Sequence, residues 1–255
     1  MDMLPWEGFY QTPQLARWLS AMPRRFSCRV FSGPPDLSQA AALEYAAQRD
    51  ALKGVRIAIS GKDAGELVTP LPLFPKFEGI GRYAAVLVRK DTPMGNLLAG
   101  ISGEAFALEL ASMGLAGCWI MGNYRRSIVS SLVRVGESLK AVIPFGVPAD
   151  SEGARFRKRR PLAALCQDDP AKWPLWAYQA AEAVRSAPSA MNRQPWKLSF
   201  TGNTLCLTGA RLDSVDAGIA VMHLDCAAHT LSRQWRLSRD EKSLLMQIGE
   251  NDEPV

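Results

Sequence analysis

Histidine is scarce in this 255-residue chain, which has only His223 and His229. A Ser-His-Asp triad or a histidine-rich metal centre therefore has little to build on. The five cysteines, at 28, 118, 166, 206 and 226, include no Cys-x-x-Cys pair and no Cys/His spacing that suits zinc. Scattered thiols in odd number read most simply as reduced cysteines of a cytoplasmic protein. No Gly-x-Gly-x-x-Gly helix start is present for a dinucleotide. Met1 to Pro5 carries Asp2 but neither the basic cluster nor the apolar run of a signal peptide. Charge of one sign is not in large excess: 30 Lys and Arg stand against 25 Asp and Glu, a net +5. That balance permits an anionic ligand without demanding nucleic acid. With 47% hydrophobic and 22% charged residues, the chain is neither disordered nor fibrous.

Apolar residues concentrate in one run, Leu97 to Gly122, long enough to span a bilayer. It also contains Glu104, Glu109 and five glycines. A charge at mid-bilayer costs roughly 2.5–3.5 kcal/mol, so the run reads as a buried core element, and no membrane partner is expected. Within it the pattern predicts a helix over 102–113, apolar on nearly all sides and ended by Gly114. Helices are also expected over 13–21, from a cap at Asp36 or Ser38 to Gln48, over 175–185 and over 215–228. Strands are expected over 54–61, 83–89, 141–146 and 196–200, the last turning at 201–203 into a hairpin partner over 204–208. The fold class is α+β: a helix-wrapped mixed or antiparallel sheet. We read residues 1–255 as one domain of two pseudo-repeat halves, about 22–150 and 155–237, each holding one buried helix. Packing those helices on each other would join the halves. An acidic tail, 238–255, is expected to fray.

Four groups of residues carry chemistry. Arg25, Ser27 and Arg29 alternate in an extended segment, so their side chains should share a face suited to phosphate or carboxylate. A solvated basic edge is the plainer explanation. Arg155 to Arg160 contains five basic residues in six, Arg157 and Arg159 among them; solvation, nucleic acid or a phosphate grip would each account for it. The segment Ala187-Pro188-Ser189-Ala190-Met191-Asn192-Arg193-Gln194-Pro195-Trp196 brackets polar side chains between prolines. It could present Ser189, Asn192 and Gln194 to a polar ring, or be an ordinary loop. Gly114 to Gly122 could bring backbone amides to a flat ligand, or only pack tightly. His223 and His229 read as packed or capping residues, Cys28 and Cys118 as packing residues. Glu104 suits the start of a buried helix, or has a role near a bound ligand.

Together these groups resemble the FMN-dependent nitroreductase superfamily. Arg25-Phe26-Ser27-Cys28-Arg29-Val30-Phe31 is similar to its Arg-x-Ser-x-basic-x-Phe segment, and 187–196 to its Ala-Pro-Ser-x-x-Asn-x-Gln-Pro-Trp loop. The turn 114–119 resembles its Gly-Leu-Gly-x-x-Trp turn, and Gly146 to Leu162 its Gly-x-Pro, basic run and Pro-Leu. The basic run here precedes the Pro-Ser loop, an order that resembles a subfamily with two half-domains fused in tandem. Asp216 to Ala220 with His223 resembles that subfamily's second half. The resemblance implies FMN as cofactor. Arg25, Ser27 and Arg29 would hold its phosphate and flavin edge, and Arg157 and Arg159 would add to the phosphate grip. Pro188, Ser189, Ala190 and Asn192 would line the ring and ribityl chain. Met121 and Gly122 would offer backbone amides. It implies a monomer or homodimer that takes electrons from NADH or NADPH and reduces a nitroaromatic, quinone or similar small acceptor, with no catalytic side chain and no metal. One set of parts implies one site per chain. A non-catalytic or vestigial flavin-binding protein is the alternative; a nucleic-acid module fits less well, since the basic residues lack an aromatic platform.

Overall fold

The computed structural model describes residues 5–60, 66–69, 76–149, 158–209, 213–229, 235–239 and 243–248. Helix α1 is Thr12–Ala21, with Pro13 in its first turn, where a missing N–H is tolerated. Helix α2, Leu37–Arg49, starts at Asp36, whose carboxylate accepts the Gln39 N–H while the Gln39 side chain accepts the Asp36 N–H. This reciprocal cap turns the chain from the Gly33-Pro34-Pro35 corner into a helix.

Strands β1 (Phe31–Gly33), β2 (Val55–Ile59), β3 (Arg82–Arg89), β4 (Ala116–Gly117) and β5 (Glu137–Pro148) form one sheet. Its order is β1-β5-β3-β2, with β4 on β5, and every strand pair is antiparallel. The middle strand β3 is buried from Tyr83 to Val88, which explains why that stretch is apolar without alternation.

Helix α3, Gly95–Ser112, starts well before the expected Ser102. Its glycines are contact points rather than breaks. A Cβ on Gly103 would lie 2.3 Å from the Trp119 ring, and one on Gly100 2.2 Å from the Val215 carbonyl oxygen. Val215 opens helix α6, Val215–His229. There a Cβ on Gly218 would lie 2.0 Å from the Leu97 carbonyl oxygen and 2.8 Å from Gly100 Cα. The two helices therefore cross backbone to backbone at Gly100 and Gly218. Gly114 ends α3 at φ +77°, with its N–H on the Ala111 carbonyl and that of Leu115 on Leu110, the double bond of a Schellman cap. Most of α3 is buried, and no helix among the described residues is long and apolar enough to cross a membrane.

A short helix α4, Arg126–Val129, and helix α5, Leu175–Ser186, precede the second sheet. That sheet contains β6 (Trp196–Thr201), β7 (Thr204–Gly209), β8 (Trp235–Arg239) and β9 (Ser243–Ile248), in antiparallel order β6-β7-β9-β8. The expectation of a frayed tail after Leu237 is thus corrected: β9 pairs with β7 and β8. That expectation weighed Asp240, Glu241, Glu250, Asp252 and Glu253, all outside the described residues, and passed over the apolar run Leu244-Leu245-Met246. None of the five cysteines is in a disulfide.

Candidate functional site

A cavity of about 780 Å³ takes its walls from distant parts of the chain, within the roughly 300–1,000 Å³ usual for small-molecule sites. Ser27 and Arg29 come from the segment before β1, and Cys118 to Asn123, with Met121 and Gly122, from the turn after α3. Arg159 comes from the basic run, Pro188 to Asn192 from the loop after α5, and Asp216 and Ile219 from α6. The first two segments meet because the Cys28 N–H donates to the Gly117 carbonyl at 3.1 Å. Gly117 is itself tightly enclosed: a Cβ there would lie 3.0 Å from Ile143 and 3.1 Å from the Pro144 carbonyl oxygen.

The Pro188 loop is held in an uncommon backbone shape. Met191, Asn192 and Gln194 have φ of +52°, +54° and +47°, each costing of order 1–3 kcal/mol for a side-chain-bearing residue. The compensating bonds are numerous. Ser189 Oγ accepts the Gln194 N–H at 2.8 Å, and Asp216 Oδ1 accepts the Ala190 N–H at 3.0 Å. Asn192 takes Arg159 Nη1 on its Oδ1 at 2.7 Å and donates to the Lys158 carbonyl at 2.8 Å. Gln194, one of the side chains the loop could have presented to a ligand, is instead buried. Its Oε1 accepts the Arg160 N–H at 2.9 Å and its Nε2 donates to the Arg185 carbonyl at 3.2 Å. It clamps the basic run to the end of α5. Burial raises the Asp216 carboxyl, and the Ala190 N–H and then Arg193 oppose that shift.

Behind the wall lies a buried polar cluster. Glu104 is fully buried on α3; its Oε2 accepts the Trp119 indole N–H at 2.8 Å, and its Oε1 lies 2.9 Å from His223 Nε2. Arg25 Nε lies 3.5 Å from the same Oε1. Arg25 is 5% exposed, and its Nε and Nη2 have no hydrogen-bond partner among the described residues. Burial first, and then the charge of Arg25, push the Arg159 guanidinium down to about 10. Two guanidinia therefore lie close together beside the cavity, an arrangement that an anion would stabilise.

The structure thus brings Ser27, Arg29, Met121, Gly122, Arg159, Pro188, Ser189, Ala190 and Asn192 to one cavity within one chain. Arg25 is not on its wall, so the expected alternation holds only for Ser27 and Arg29. Arg25 directly follows the single helical turn Met22–Arg24, and its guanidinium is drawn to Glu104 on α3 instead. Arg157 lies outside the described residues. Val68, Thr69, Lys76 and Phe77 also line the cavity. They flank a proline-rich stretch whose sequence carries no periodic signal, so nothing in it pointed to them.

The family model described as "Putative TM nitroreductase" matches residues 18–228. Among solved structures, a "putative nitroreductase" from Thermotoga maritima MSB8 is 25% identical over 91% of this chain and 93% of that one, with a TM-score of 0.67. An FMN-dependent nitroreductase from Clostridium difficile R20291 is 16% identical, with 61% of this chain and 96% of that one covered and a TM-score of 0.42. An iodotyrosine deiodinase bound to FMN and 3-iodo-L-tyrosine is also 16% identical, with 56% and 96% covered and a TM-score of 0.42. No curated protein matches the chain in sequence.

Proposed function

We propose, for a chain that belongs to this nitroreductase family, that it is an FMN-dependent oxidoreductase. The observation that carries the reading is Arg25: a buried guanidinium with two nitrogens that make no hydrogen bond among the described residues, beside Arg159 and behind the wall of a cavity of ligand size. Buried charged donors are costly unless something accepts from them, and a phosphate or flavin edge is such an acceptor.

When bound, FMN supplies hydride chemistry, taking electrons from NADH or NADPH and passing them to a nitroaromatic, quinone or similar acceptor. The residues of the chain bind and orient. Ser27 and Arg29 hold the phosphate and the polar flavin edge at the cavity wall, Arg25 attracts the same anion from behind it, and Arg159 and Arg157 add charge. Pro188, Ser189, Ala190 and Asn192 line the ring and ribityl chain, and their bonds to Arg159 and Asp216 keep that wall in shape. Backbone amides of Met121 and Gly122 face the redox edge, where donors stabilise developing negative charge. Both halves of one chain contribute, so the site is complete within a monomer or within each subunit of a homodimer.

The test is release of cofactor by heat, followed by chromatography and an NADH or NADPH oxidation assay with nitroaromatic and quinone acceptors. FMN, together with acceptor-dependent oxidation, is the expected result. FAD, or no flavin uptake even after reconstitution, overturns the reading.

A further inference from the structure

The hydrogen bonds around His223 determine the charge left on Arg25. His223 Nδ1 lies 2.9 Å from the Ala183 carbonyl oxygen and 3.0 Å from Ser186 Oγ, and that hydroxyl lies 2.7 Å from the same carbonyl. A carbonyl only accepts. The Ser186 hydroxyl and Nδ1 must therefore both donate to it, and Nδ1 carries a hydrogen. With the ring hydrogen on Nδ1, a hydrogen bond between Nε2 and Glu104 Oε1, 2.9 Å apart, requires one further proton between them. If it sits on nitrogen, an imidazolium faces a carboxylate; if on oxygen, a neutral ring faces a carboxylic acid. The pair is neutral in both cases. The other carboxyl oxygen is occupied by Trp119. Arg25, 3.5 Å away, is left with a positive charge that Glu104 does not cancel.

We infer that His223 is a positioning residue for an anion site: by sharing a proton with Glu104 it stops that carboxylate from neutralising Arg25, whose charge stays available to an anionic group in the cavity. The identity of that group as part of FMN rests on the function proposed above; the charge of Arg25 does not. The position of Arg159 agrees with it, since Arg25 and Arg159 repel each other where one anion would satisfy both.

The experiment compares His223→Gln, Glu104→Gln and the double variant by FMN and riboflavin titration of flavin-free protein. Glutamine cannot supply the proton, so His223→Gln leaves a carboxylate against Arg25 and weakens FMN by about tenfold or more. Glu104→Gln added to it removes the carboxylate and brings FMN affinity back to near wild type. A merely structural role for His223 predicts no such rescue. A loss confined to FMN identifies the phosphate as the anion; a loss shared with riboflavin identifies the flavin edge. Unchanged affinity in His223→Gln, or a double variant no better than the single, overturns the inference. If wild type takes up no FMN, the flavin reading fails, and nitrogen-15 NMR of flavin-free His229→Gln protein still decides this one. A hydrogen on Nδ1 of His223 is expected, and its absence overturns the proposal.

Discussion

Glu104 and Glu109 stand five residues apart on α3, both buried, and each is met by a tryptophan and an arginine. Trp18 and Arg17 of α1 donate to Glu109 Oε2, both at 2.6 Å. Trp119 donates to Glu104 Oε2 at 2.8 Å, and Arg25 stands 3.5 Å from its Oε1. The difference lies in the cation. The Arg17 side chain is 48% exposed and directly bonded, so Glu109 has a solvated counter-charge. The Arg25 side chain is 5% exposed and not hydrogen-bonded to Glu104, which is bonded by His223 instead. Similar parts thus make a helix-to-helix tie on one side of α3 and a charged cluster beside a cavity on the other. A buried ion pair is not by itself a stabilising device, so the second arrangement calls for a ligand where the first does not.

Stability separates the two acids most strongly. Removing Glu104 with Glu104→Ala leaves His223 and the Trp119 N–H unpaired in the interior, and should cost about 3–5 kcal/mol. Glu109→Ala should cost only about 1–3 kcal/mol, because Arg17 can return to water and only the Trp18 N–H is left unpaired. Denaturant midpoints of both variants test the ranking, and equal losses would remove the distinction. Gly218→Ala drives a Cβ into the backbone of α3 and should cost about 1–3 kcal/mol. It should also weaken FMN binding by displacing His223 from Glu104, while leaving the α1 tie intact; calorimetry and flavin titration measure the two effects. Arg25→Ala should lose about tenfold to hundredfold in FMN affinity, whereas Arg17→Ala should lose none.

A pH-dependent effect comes from Asp225 on α6. Burial, and then the charge of Glu7, raise the Asp225 carboxyl from 3.8 to about 8. The folded state holds that proton more tightly than the unfolded chain does. Its contribution is therefore complete below about pH 3.8 and is lost as the pH rises to about 8. Asp225→Asn should flatten the decline in stability over that window, measured by denaturation at stepped pH. The last expectation is an absence of change. Mixing Arg25→Ala chains with Asn192→Ala chains should restore no FMN affinity, since one chain lines the cavity. Recovery in about half the sites of mixed dimers would show exchange of the loop between subunits.

Local signals in the sequence carried well. The Asp36 cap, the glycine end of α3, the buried strand β3 and the hairpin β6–β7 all depend on neighbours in the chain. The four motifs that meet at the cavity were legible as residue types. What they do to one another was not. Gln194 resembles a ligand contact until its bonds to Arg160 and Arg185 are visible. Gly100 and Gly103 weaken a helix by propensity, and only the approach of α6 and Trp119 explains why they stay inside one. β9 was obscured by the acids flanking it.

The residues themselves determined the local turns and caps, the apolar character of α3 and α6, and the cationic and polar groups available to bind an anion. Each of those follows from side-chain shape, backbone freedom or charge within a few positions. The tertiary structure alone decided which charges meet. Glu104 and His223 are 119 residues apart in sequence, and they touch because two glycines let α3 and α6 cross closely. Electrostatic interactions in a dry interior depend on ångström distances and on the absence of water. That separation in sequence and that closeness in space are why the uncompensated charge of Arg25 appears only in the folded chain.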